Sequence, residues 1–370
     1  MGLYPQGQTR NNELLSKLMK DRTILTKISP FGLLFSIYLV FCPFPLFSSP
    51  FEELASFSSI PNISPSTLSS GEILGSFDDK NSKGHAILIE TCFIVPDKPQ
   101  AVSTAFLHWD PSKHPSLKVM GHLENAFPNS FPFNSLVFDL KKSPVRKLLQ
   151  EAFRAKPGKS ALNLSTDEIK QLQATLSPLK GKMDEGSIEA LHSFFTADLQ
   201  AKLLNYSQSG LSNLPPYENG GSPIKPIEEI SKMAKANPKI YARYQPLIDS
   251  LLSNWTSQQP PQNYYCNFFD ANGMATLSLG SSYGFKTEQS WQQINCEFYV
   301  SSVYYNGMEI VEMWPIESGG KTVTLVWKAH MLAVPLGGLL EDVNRVAYGI
   351  ALLQGTKNAD QAFLSEFLHN

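Results

Sequence analysis

The chain has 370 residues, a formal net charge of −2, and 17% charged against 42% hydrophobic side chains. That is too apolar for a disordered chain and too mixed for a multi-span membrane protein, and the balanced charge argues against a general nucleic-acid-binding surface. Four cysteines exclude a disulfide-built scaffold, while 26 prolines and 23 phenylalanines suit a β-rich fold with many turns.

Arg10, Lys17, Lys20, Arg22 and Lys27 precede an apolar run from Phe31 to Phe47. A basic segment before an apolar one is the pattern of a secretory signal peptide. Pro43 and Pro45 break the run, and a spanning helix needs about 20 apolar residues. Residues 1–49 therefore read as a signal peptide or, alternatively, as an uncleaved anchor held by residues 31–47. The expected location is periplasmic or secreted. Without residues 1–49 the chain keeps 26 basic and 31 acidic residues, a net charge of −5, and three cysteines: Cys92, Cys266 and Cys296. All three lie in apolar, strand-like surroundings that suit buried thiols as well as a bridge. If one bridge forms, Cys266–Cys296 is the expected pair.

Residues 50–70, rich in Ser and Pro, read as a linker or entry arm. Strand patterns follow at Ile73–Phe77 and Gly84–Val95, a helical spacing at Ala101–Trp109, and strand-like pieces at Leu117–Leu123 and Phe133–Leu140. Residues 141–262 change character. Val145–Ala155, Thr166–Thr175, Ser187–Tyr206, Ile227–Ala236 and Ile240–Trp255 have helix periodicity, and Ser165 or Thr166 with Asp167 and Glu168 marks a helix start. From Asn263 the strand pattern returns. Asp270-Ala-Asn-Gly273, Asn306-Gly307 and Glu317-Ser-Gly-Gly320 are the expected turns. Along Thr322–Leu332, Val323, Leu325, Trp327, Ala329 and Met331 share one face; Thr322, Thr324, Lys328 and His330 share the other, interrupted by Val326. Leu336 to Phe367 reads as one long helix with an apolar stripe through Leu339, Leu340, Val343, Val346, Ala347, Ile350 and Leu353. Gly349 and Gly355 within it point to close packing or a cavity wall.

A strand, a short helix, and a run of antiparallel strands closed by one long helix is the helix-grip order. With Val300-Ser-Ser-Val-Tyr-Tyr305, Glu309-Ile-Val-Glu-Met-Trp-Pro315, Gly320-Lys-Thr-Val-Thr-Leu-Val-Trp327 and the helix opening at Pro335–Gly355, the chain resembles the START-like superfamily of lipid-transfer and polyketide cyclase-like proteins, in an exported bacterial branch. The resemblance covers about 70–95 and 295–368. It implies an α+β helix-grip fold, a curved antiparallel sheet around a long C-terminal helix, over 71–140 and 263–370, with 141–262 as an inserted helical subdomain. It further implies a cavity between sheet and helix, with Tyr299, Tyr305, Trp327, Met331 and Tyr348 as candidate wall residues.

The search for catalytic signatures returns little. No zinc-protease helix, nucleophile elbow, phosphate loop, dinucleotide fingerprint or Cys-x-x-Cys pair occurs. His108 and His114 read as solvent-exposed loop histidines and His330 as a surface residue. Glu309 and Glu312 fall on opposite strand faces; if the strand is central one of them must face inward, where it needs a partner such as Lys328 or takes a raised pKa. The expected function is binding of a lipid or other apolar small molecule, with no cofactor, metal or nucleic acid, and with membrane-surface contact left open. A cyclase, aromatase or hydrolase using the same cavity, or an envelope interaction protein with a filled core, are the alternatives. A polar cluster inside the cavity would favour the enzyme.

Overall fold

The computed structural model describes residues 49–68, 71–78, 85–218, 222–253, 260–336 and 341–368. The export segment with Cys42, and Leu339 and Leu340 of the expected stripe, lie outside these residues. No helix among the described residues is long and apolar enough to cross a membrane.

The architecture is α+β. One curved, open, fully antiparallel sheet contains β1 (Leu74–Asp78), β2 (Ala86–Val95), β3 (Val119–Asn125), β4 (Asn263–Ala271), β5 (Met274–Lys286), β6 (Trp291–Val300), β7 (Asn306–Ser318) and β8 (Lys321–Ala333), in the order β1-β2-β8-β7-β6-β5-β4-β3. Helices α1 (Pro50–Phe57) and α2 (Pro65–Leu68) precede it, and α3 (Pro99–Leu107) follows β2. Then α4 (Ser143–Arg154), α5 (Thr166–Leu176), α6 (Glu185–Ser209), α7 (Pro226–Lys235) and α8 (Pro238–Leu252) lie between β3 and β4, and α9 (Glu341–Leu368) ends the chain.

Local chemistry explains many boundaries. A helix start is found where expected, with Ser165 and not Thr166 as the cap of α5 in a reciprocal box with Glu168, and Ser49 with Glu52 does the same for α1. The abundant prolines open helices as much as turns: Pro50, Pro99, Pro226 and Pro238 occupy first helical positions, where the missing N–H costs nothing. Asn272 and Gly273 (φ 53° and 80°) close the β4–β5 hairpin, and Gly319 and Gly320 (φ 59° and 75°) close β7–β8, both with the positive φ that tight hairpins require.

Four expectations are corrected. Residues 50–68 are not a linker, because Leu54, Phe57, Ile60 and Leu68 are buried in the main core. Phe133–Leu140 is irregular rather than a strand; it delivers Phe133, Leu136 and Phe138 to the core without pairing. Asn306-Gly307 does not turn but starts β7. Asn306 Nδ2 donates to Phe298 O at 2.9 Å, and the loop is Ser301–Tyr305, with Val303 at φ 70°. The fourth concerns α9, where Val343, Val346 and Ile350 are exposed and Arg345 is turned inward, donating to Ala86 O at 2.7 Å. Gly349 marks close packing, since a Cβ there would meet the Phe77 ring at 2.4 Å.

The sheet is covered on both faces. On one face α1 and the helical block share a continuous core with Leu325, Trp327, Ala329 and Met331 of β8. This is the reverse of the expected arrangement, in which that apolar stripe met the C-terminal helix. On the other face, α3 and α9 cover two smaller clusters, around Phe93, Val326 and Phe363 and around Ile89 and Leu332. Cys92, Cys266 and Cys296 are free and buried, and burial pushes all three thiols up.

Candidate functional site

Between its two clusters the α9 face of the sheet carries a cavity of about 530 Å³ that opens to solvent. Its apolar side comes from α3 and α9, with Phe106, Leu107, Leu352 and Ala359, joined by Trp109; Gly355 opens the wall of α9, since a Cβ there would find nothing within 4 Å. Its floor is polar. His330, Glu309, Asn295, Ser282 and Asn263 are successive cross-strand partners from β8 to β4, so all five project to this face. A second row runs Leu332, Gly307, Glu297, Gly280, Tyr265 and Glu124.

Lys328 anchors the floor. Its Nζ lies 2.8 Å from Glu309 Oε1 and 2.8 Å from Asp360 Oδ1 of α9, and Asn295 Nδ2 donates to Glu309 Oε2 at 3.0 Å. Burial pushes the Glu309 carboxyl up, but Lys328, His330 and Asn295 outweigh it and hold it below the ordinary value. Burial wins at Asp360, which lies above its ordinary value despite Lys328. Burial depresses the Lys328 ammonium, but the two carboxylates more than restore it, so it stays charged.

The remaining carboxylates are held differently. Glu124 Oε2 accepts from Asn263 Nδ2 at 2.9 Å; His108 Nδ1 stands 3.4 Å from Oε1, and His122 Nε2 4.0 Å from Oε2. Glu297 accepts from Ser278 Oγ at 2.9 Å and from the Tyr304 hydroxyl at 2.8 Å. At the rim, Glu366 of α9 accepts from Trp109 Nε1 at 3.0 Å and meets His114 Nε2 at 2.8 Å. His108 and His114 thus serve different carboxylates. Asn163, from the helical block, donates to Val300 O at 2.8 Å and to Tyr304 O at 2.7 Å, pinning the loop that carries Tyr304. This asparagine, which has the letters of a glycosylation site, is buried.

Of the five expected wall residues, only Tyr348 lines the cavity. Tyr299, Tyr305, Trp327 and Met331 are buried in the core on the other face. Tyr299 lies under Lys202 Nζ, 4.6 Å from the ring centroid, and Tyr305 packs on His85. Trp327 stacks on Tyr244 and donates to Glu90 Oε2 at 3.0 Å. His330, expected at the surface, faces the cavity, and of the two glutamates for which Lys328 was a possible partner it is Glu309 that pairs with it. Glu312 is buried on the opposite face with Arg243, Ser290, Gln292 and the Tyr244 hydroxyl. One signal for the missed residues was present: polar side chains recurring on one face of central strands in a sheet covered on both sides imply a lined cavity. Among the described residues no group of three or more His, Cys, Asp or Glu is arranged to hold a metal ion. No family model, curated protein or solved structure matches the chain.

Proposed function

We propose that the chain binds an amphipathic small molecule between the sheet and α9, in the manner of the START-like helix-grip proteins its element order resembles. The observation that carries this is the cavity itself. It is a cleft of about 530 Å³ open to solvent, and a ligand with an apolar part would gain by displacing water from its apolar walls. The volume falls within the usual range for ligand pockets, and the walls divide into an apolar half and a hydrogen-bonding half. A purely apolar ligand would strip water from that polar floor and return no hydrogen bond, so the lipid-like molecule expected from the sequence becomes one with a polar end. The signal-like N-terminal segment supports action in the periplasm or outside the cell, with residues 31–47 either removed or serving as an anchor.

A cyclase- or hydrolase-type reaction in the same cavity has the polar floor in its favour, the feature tied above to an enzyme, with His330 and Glu309 as direct cross-strand neighbours. Both oxygens of Glu309 are engaged, by Lys328 and Asn295, which suits a fixed electrostatic element better than a proton acceptor. Binding is therefore the reading adopted. Gly355→Phe tests it, because the new ring has open space and enters the cavity. The purified protein should release a bound small molecule in native mass spectrometry or take up a neutral solvatochromic dye. The variant should lose dye binding by about tenfold or more at unchanged melting temperature. Absence of both ligand and dye uptake in the parent protein would sink the proposal.

A further inference from the structure

Glu297 differs from the other carboxylates of the cavity floor. Glu309 and Asp360 share Lys328, Glu124 has His108 and His122 nearby, and Asp270 Oδ1 accepts from Gly273 N within a hairpin turn. Among the described residues Glu297, like Asp270, is in no ion pair, but it lies in the strand rows of the floor and not in a turn. Its partners, Ser278 and Tyr304, are neutral hydroxyls that fix its position without cancelling its charge.

Two glycines shape this corner. A Cβ on Gly307 would lie 2.6 Å from Glu297 Oε2, and one on Gly280 would lie 2.0 Å from the Tyr265 ring. The carboxylate therefore lies across β7 and the Tyr265 ring across β5, each where a larger residue would exclude it. Tyr304 comes from the loop held by Asn163, next to Val303 at φ 70°, a costly conformation for a β-branched residue. Both phenols are pushed well up by burial first and Glu297 second, so they remain neutral rings. Two aromatic rings and one charged carboxylate thus line the same corner of a cavity, a combination that attracts organic cations by ring quadrupole and charge together.

We infer that Glu297, Tyr265 and Tyr304 form the subsite for a cationic head group, an amine or quaternary ammonium, on the amphipathic ligand. This rests on the cavity reading above and narrows it. An anionic head group would meet Glu297 without compensation, and a neutral one would gain only hydrogen bonds.

The test compares three probes with one tail, octyltrimethylammonium, octanol and octanoate, as competitors of a neutral dye at low ionic strength. The ammonium should bind about tenfold or more tightly than octanol, with octanoate weakest. Glu297→Gln should reduce the ammonium to the level of octanol while leaving octanol unchanged. Should that variant fail to fold, Tyr265→Leu keeps the charge, removes one ring and should weaken the ammonium several-fold. Equal affinity of the three probes, or an unchanged preference in the variants, would overturn the cationic subsite and leave the cavity reading standing. No displacement together with no dye uptake would remove both.

Discussion

Trp327→Ala separates a core residue from a cavity wall. The indole is fully buried, stacks on Tyr244 with centroids 5.7 Å apart, and meets Phe57 edge-on at 4.9 Å. Truncating a buried aromatic to Ala costs about 3–5 kcal/mol. Glu90, also buried, loses one of its donors, adding about 1–3 kcal/mol. The sum, about 4–8 kcal/mol, is comparable to the whole stability of a typical domain. The alanine variant should therefore be largely unfolded. Trp327→Phe keeps an aromatic ring and leaves Glu90 with Ser58 Oγ at 2.6 Å and Ser59 N at 3.0 Å, so about 1–3 kcal/mol should be lost. Urea unfolding followed by circular dichroism gives both values. Dye titration of folded Trp327→Phe should match the parent within about twofold, because the ring lies on the sheet face opposite the cavity. A variant with normal stability that loses the dye would refute the assignment of the two faces.

Lys328→Met should cost about 3–5 kcal/mol by leaving Glu309 and Asp360 without their shared cation, and adding Asp360→Leu should recover part of it; an additive double variant in urea unfolding would contradict the network. In the helical block, Lys202 Nζ meets both Glu168 Oε1 and Asp198 Oδ1 at 2.5 Å. Burial, opposed by Lys202 and reinforced by Glu168, raises the Asp198 carboxyl to about 6, while burial at Glu168 is outweighed by Lys202, which holds it below its ordinary value. Folded Asp198 holds its proton more tightly than the unfolded chain does. Its contribution is therefore complete below about pH 4 and lost as pH rises through about 6, an effect of about 3 kcal/mol, with Glu168 running in the opposite sense. Asp198→Asn should flatten the pH dependence of the urea midpoint between about pH 4 and 6 and be at least as stable at pH 8. Strong destabilisation of that variant at pH 8 would show that Lys202 needs both charges.

Element type and order were legible in the residues because they depend on local rules. The helix start at Ser165-Thr166, the Asn272-Gly273 and Gly319-Gly320 turns, the helical periods between residues 145 and 255 and the period-two alternation of β8 each act within a few residues. Where a local rule competed with a long-range partner, the partner won. Asn306-Gly307 carries a hairpin signal, yet Asn306 bonds to Phe298 O and Gly307 makes room for Glu297, so the pair starts a strand instead. Residues 50–68 have linker composition, yet Leu54 and Phe57 find a groove beside α8 and the sheet.

The sequence by itself determined that β8 has one apolar and one mixed face, and that whichever of Glu309 and Glu312 faced inward would need a partner such as Lys328. It did not determine which face meets which layer. Alternation sorts side chains into two sets but gives neither set a direction, and only the packing of distant segments supplies one. The helical block offered the larger apolar surface and took Trp327 and Met331. The polar set was left facing α9, a helix that packs on β1 and β2 at the sheet edge and spares the space over β4–β7. The cavity exists because α3 and α9 together are too narrow to cover a face of eight strands, and its floor is polar because the larger apolar set faces the other side.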